Sequence, residues 1–224
     1  MRKTMLFAAL CLGLAGPAAA ETLDGQETYD LLFRSGTLDP VGKDKALSYT
    51  REVVNALKPE SAVRDTGTIR LSFEEQQALM AELEFRQNGK HRGLGKFPAS
   101  VGNPMIMFFY ESVVRDMAEA AGGSPYYIRN RVKEALIRPS EVVEGDATLD
   151  GRTVPTKTVV LHPFEGDPNS DRMQGFGELA LAVTMSEDVP GWYMSFVAEV
   201  PGEEGAPVYR SEIDFESLEA EGAE

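Results

Sequence analysis

The hydrophobic period of this chain changes twice, from two residues to about 3.6 and back to two, which narrows the folds open to it. In "TGTIRLSF" (66–73), Gly67, Ile69, Leu71 and Phe73 share one side, and Thr66, Thr68, Arg70 and Ser72 the other. "ALSYTREVV" (46–54) alternates in part, with Leu47, Tyr49 and Val53 on one face and Arg51 interrupting it. "ALMAELEF" (78–85) is made of good helix formers. Its Leu79, Ala81, Leu83 and Phe85 alternate all the same, which predicts a half-buried strand ending at the "QNG" turn.

The middle carries the helical period. "NPMIMFFYESVVRDMAEAAGG" (103–123) opens with Asn103 as cap and Pro104 at the first helical position, and stops at Gly122 and Gly123. "SPYYIRNRVKEALIRPS" (124–140) repeats the plan, with Ser124 as cap and Pro139 as stop. The short joint predicts an αα-hairpin. A further short helix is expected over 27–34.

Beyond residue 141 the period returns to two. A strand pair flanks Asp150–Gly151, and strands follow over 176–185, 192–200 and 207–215. The second of these should place Trp192, Met194, Phe196, Ala198 and Val200 on one face. Strands, two helices and strands again predict an α+β fold: a curved antiparallel sheet packed against a central pair of helices.

The ends read differently. Arg2 and Lys3, an apolar run and the small residues Ala18 and Ala20 make residues 1–20 a secretory signal peptide, with export to the periplasm expected. Its apolar core falls short of the about 20 residues of a membrane span, and no later stretch reaches that length. Residues 21–216 then form a single domain, and 217–224 an acidic disordered tail. The one cysteine, Cys11, leaves with the signal, so disulfides and thiolate chemistry are excluded from the mature chain. A formal net charge of -14 disfavours nucleic acid or an anionic lipid surface as partner unless a local basic patch exists. The only basic cluster, "GKHRGLGK" (89–96), is expected to be a loop.

Motifs for chemistry are sparse. His91 and His162 are the two histidines, and neither stands in metal-ligand spacing. No serine occupies a "GxSxG" elbow, so a hydrolase would have no identifiable motif. In "DPNSDRMQGFGE", Asp167, Asn169, Asp171 and Glu178 match positions 1, 3, 5 and 12 of a calcium loop. Arg172 stands where that loop needs glycine, and an Asx-rich turn explains the same residues. No cofactor other than calcium is suggested. Phe108, Phe109, Tyr110, Tyr126, Tyr127 and Trp192 are candidates for an apolar pocket between sheet and helices, with ordinary core packing as the alternative.

In its order of elements the chain resembles the periplasmic lipoprotein-carrier family. The shared order is a signal peptide, a short helix, antiparallel strands, the helical pair at 103–140 and returning strands. The resemblance implies a half-open barrel closed by helices that carries lipid or acyl chains without catalysis. No motif matches residue by residue, so no site residue follows from it. The expected function is a non-catalytic exported protein binding an apolar or lipid-like ligand, with a lipid or a lipidated protein as partner. The alternative is an envelope structural or protein-interaction module.

Overall fold

The computed structural model describes residues 20–220. The expected signal peptide, apart from Ala20, lies outside them, as do residues 221–224. Ten strands form one sheet: β1 (Ala20–Leu23), β2 (Lys45–Asn55), β3 (Gly67–Glu75), β4 (Leu79–Gln87), β5 (Lys90–Pro98), β6 (Ser140–Leu149), β7 (Arg152–Leu161), β8 (Ala180–Met185), β9 (Tyr193–Val200) and β10 (Tyr209–Ala220). Four α-helices accompany them among the described residues: α1 (Gly25–Leu32), α2 (Pro59–Asp65), α3 (Met105–Ala121) and α4 (Pro125–Leu136). The strand order is β1-β6-β7-β8-β9-β10-β2-β3-β4-β5, and every neighbouring pair is antiparallel. The architecture is therefore the α+β sheet-on-helices arrangement that the change of period predicts.

The last strand joins the two halves. β10 lies between β9 and β2 and pairs with β2 from Tyr209↔Asn55 to Ala220↔Lys45. Residues 217–220 therefore belong to the sheet and not to a disordered tail. Acidic composition suggested fraying, but strand pairing satisfies the backbone whatever the exposed side chains carry. A bulge between Phe215 and Ser217 sets Glu216 off the ladder, and its carboxylate accepts from the Ser48 and Thr50 hydroxyls.

Residues 90–98 are a strand, where the glycine-rich basic composition suggested a loop. Asn88 (φ 51°) and Gly89 (φ 70°) take left-handed conformations that return the chain along β4, pairing Gln87 with Lys90. β5 is an edge strand, so half its backbone needs no partner and its side chains need no apolar alternation. A second departure is in β9. A bulge pairs Met185 with Tyr193 and Thr184 with Ser195, leaving Met194 between them. Tyr193 thereby enters the core, and Met194 packs instead on a satellite cluster of Leu149, Val154 and Val189. The helix α2 carried no apolar period long enough to be read, although Pro59 stands at its first turn.

α3 is the centre of the molecule. Ile106, Phe109, Val113, Val114 and Met117 are all buried, and Phe109 meets Phe196 of β9 with ring centroids 5.2 Å apart. The N-cap of this helix is Pro104, and Asn103, expected as the cap, stands one residue before it. Its side-chain oxygen accepts from the Met105 N–H (3.0 Å), and its amide donates to the Tyr49 hydroxyl and the Gly191 carbonyl (2.9 Å each).

Arg51, the residue that interrupts the apolar face of β2, is 1% exposed. Its Nη2 lies 2.8 Å from the Asp116 carboxylate of α3, and its Nε donates to Ser211 Oγ at 3.3 Å. The Tyr209 hydroxyl donates to the same carboxylate at 2.9 Å. From Asp116 the charges alternate outward through Arg115, Asp65, Arg64 and Glu119. A buried charge needs such partners, because an unpaired one would carry its full desolvation cost.

Candidate functional site

The six aromatic candidates do not converge. Phe109 and Tyr110 are core residues, with ring centroids 5.2 Å apart. Burial pushes the Tyr110 phenol far above its ordinary pKa, and its hydroxyl has no hydrogen-bond partner among the described residues. Phe108 is half-buried beside the Arg51 guanidinium, which sits 5.6 Å from its ring centre. Tyr126 is 72% exposed. Trp192 is buried in a left-handed conformation (φ 82°), costly for a bulky residue. It is held there by its Nε1–H donating to the Leu31 carbonyl (3.2 Å) and by Arg34 stacked 4.5 Å over the ring. The rings of Phe109, Tyr110 and Trp192 are buried in the interior, whereas Tyr126 stands in the open.

Tyr127 belongs elsewhere, and with it comes part of the calcium-loop candidate. The chain from Asp167 to Met173 folds over the joint between α3 and α4, leaving a groove of about 400 Å³. Met117, Ile128 and Met173, all buried residues, supply its apolar floor. Tyr127, Asn169 and Arg172 stand at its rim. The joint permits the opening because Gly122 (φ 78°) and Gly123 (φ 94°) turn the chain with no side chain to fill it.

Asp167 is spent on holding this loop. Its carboxylate accepts from the Tyr127 hydroxyl at 2.5 Å and from the Asn169 backbone N–H at 2.8 Å, and it pairs with Arg131 Nε at 2.9 Å. Burial alone would raise its pKa. The Tyr127 and Asn169 hydrogen bonds and the Arg131 charge outweigh that and hold it below the usual carboxylate range. The same bond to Asp167 raises the Tyr127 phenol. Asp171 and Glu178 are exposed and do not join it: no group of three or more acidic, histidine or cysteine residues among the described residues could hold a metal ion. The calcium reading is corrected accordingly. The missing loop glycine and the strand in place of a preceding helix were the signals against it, and the turn is Asx-like.

Met117, Ile128, Met173 and Arg172 were not picked out as a set by the sequence. Met117 and Ile128 stand in helical stripes that read as ordinary core, and Met173 lies in irregular chain. Nothing in their spacing places them together. The groove offers an apolar surface with a few polar groups at its mouth, the arrangement of a small-ligand site. Asp167, the acid beside it whose pKa is lowered, is neutralised by Tyr127, Asn169 and Arg131.

No protein-family model matches the chain, and no curated protein matches it. Among solved structures, the chain is similar to the Mycobacterium tuberculosis lipoprotein LppX at 10% identity and a TM-score of 0.38. The match covers 87% of this chain and 96% of that one, and is a weak, nearly full-length likeness in the order of elements. It carries no inference about function.

Proposed function

We propose that this chain is a non-catalytic exported protein that binds a small apolar or acyl-type ligand in the groove at the α3–α4 joint. The observation that carries the reading is the groove itself, about 400 Å³ with Met117, Ile128 and Met173 beneath and Tyr127, Asn169 and Arg172 around the mouth. Arg172 is exposed and makes no ion pair among the described residues, so a carboxylate or phosphate end of the ligand has a cation to meet. The basic, apolar and small-residue run of residues 1–20 supports export.

Native mass spectrometry of the protein isolated from envelope fractions tests this. A retained mass in the range of a fatty acid or lipid is expected, lost in Ala121→Phe, whose ring would fill the groove. A bare mass, or the same retained mass in that variant, would refute the reading. A second reading, an envelope interaction module, is supported by the ring packing of Phe109, Tyr110 and Phe196, which leaves the sheet–helix interior filled. It predicts a bare mass and a cross-linked protein partner.

A further inference from the structure

The basic cluster at 89–96 acquires a meaning from its neighbours. As part of the β4–β5 hairpin it faces α2, and Gln87 ties the two together by donating to the Val63 carbonyl at 2.7 Å. Between them lies a groove of about 370 Å³ bordered by Arg64, Phe85, Lys90, His91 and Arg92. Arg64 is already neutralised by Asp65 and Glu119. Lys90 and Arg92 are exposed and have no carboxylate within ion-pair distance among the described residues. Arg92 only rests on the Phe85 ring, 5.4 Å from its centre. In a chain with a net charge of -14, this is a local surplus of positive charge.

Its position adds a second observation. The Arg64–Glu119 pair fixes α2 against the last turn of α3, one turn before the Gly122–Gly123 joint. Large apolar side chains are exposed around that same helix and joint: Val63 of α2, at 74%, which borders the hairpin turn at Asn88 and Gly89, and Tyr126 and Tyr127 at the start of α4, at 72% and 38%. Unpaired cations beside exposed apolar groups are what an anionic bilayer surface attracts and accepts, each basic residue adding to the affinity. The remainder of the acidic protein is repelled by such a surface, which fixes the orientation.

We propose that the region formed by the β4–β5 hairpin, α2 and the α3–α4 joint is a docking surface for anionic phospholipid membranes. Lys90 and Arg92 supply the attraction, and Val63 and Tyr126 enter the headgroup layer. This goes beyond the ligand reading and does not need a loaded groove, so vesicle binding and retained mass can fail separately.

The test is co-sedimentation of the exported, processed protein with phosphatidylcholine vesicles, with and without phosphatidylglycerol. Binding is expected only with phosphatidylglycerol, and is expected to fall steeply toward about 1 M salt, where screening acts within ~3 Å. Lys90→Ala with Arg92→Ala should weaken it roughly 30-fold. Val63→Ser with Tyr126→Ser should weaken it severalfold at unchanged net charge. Lys43→Ala with Lys157→Ala removes the same net charge from lysines paired elsewhere and should leave it near the parent level. Equal weakening in that control pair, equal binding to phosphatidylcholine alone, absence of binding, or full competition by soluble glycerol phosphate would each overturn the proposal. Circular dichroism spectra of the variants, all changed at exposed side chains, check that the fold is retained.

Discussion

The first turns of α3 are closed off, and its last turns are left open. At the first turns, Asn103 ties the helix to β2 and to the loop before β9, and Phe109 packs ring to ring with Tyr110 and Phe196. At the last turns, two glycines end the helix, a groove opens over Met117, and α2 leans on it through the Arg64–Glu119 and Asp65–Arg115 ion pairs. Between the two, Asp116 receives the buried Arg51 and holds the helix to the sheet. One helix thus carries both the part of the molecule that must not move and the part with room for something else. The teaching point is that a continuous apolar stripe does not imply uniform packing: what closes a helix face is the element opposite.

Removing Asp116 should break this arrangement most severely. Asp116→Ala leaves Arg51 buried without its anion and should cost about 3–5 kcal/mol, read by urea unfolding. Joint replacement, Arg51→Met with Asp116→Leu, should recover most of that loss, because the desolvation cost leaves with the charges. A double variant as unstable as the single one would mean that the pair does more than neutralise itself.

Phe109→Ala tests the closed end. The expected cost is about 3–5 kcal/mol, since the surrounding rings can collapse only in part onto the void. A loss below about 1 kcal/mol would mean that the first turns are as loosely packed as the last.

At the open end the effects should be smaller. Tyr127→Phe removes a hydrogen bond to a charged acceptor and should cost about 1.5 kcal/mol, with faster proteolysis in the 167–173 loop. The pH dependence has a definite sign. The Asp167 pKa is lower in the folded protein than in the unfolded chain, so its contribution is present above the unfolded value and is lost as pH falls through the folded one. Acid below about pH 4 should therefore loosen this loop, and Asp167→Asn should flatten that part of the stability–pH curve. The smallest effect belongs to Ala121→Phe, half-buried at the groove edge. It should change stability by no more than about 0.5 kcal/mol while abolishing ligand retention. A large loss of stability would mean that the groove closes in solution.

Much of the fold was legible because alternation and helical spacing are local signals. Ile69, Leu71, Leu83 and Phe85 point to the core as their alternation requires, and so do Val113, Met117, Ile128 and Val132 in the helices. The strand at 90–98 was not legible, because an edge strand has no second neighbour to demand an apolar face. Met194 was misplaced because a bulge adds one residue there, turning Tyr193 inward while Phe196, Ala198 and Val200 keep the expected face. Of the site, Tyr127, Asp167 and Asn169 were singled out, the first for a pocket and the others for calcium. Their meeting depends on a contact across some 40 positions of sequence, which no local pattern encodes.

By itself, the sequence determined the type of most elements, the antiparallel α+β class, and the acidic character of a chain with no cysteine after Cys11. These follow from side-chain period and ionisation, which each residue carries with it. Only the tertiary structure decided that β10 closes the two halves into one sheet, that Arg51 is buried against Asp116, and that Phe109, Tyr110 and Trp192 are buried while a groove opens at the far end of α3. Those outcomes depend on which surfaces meet, and burial energies exist only between surfaces that have been brought together.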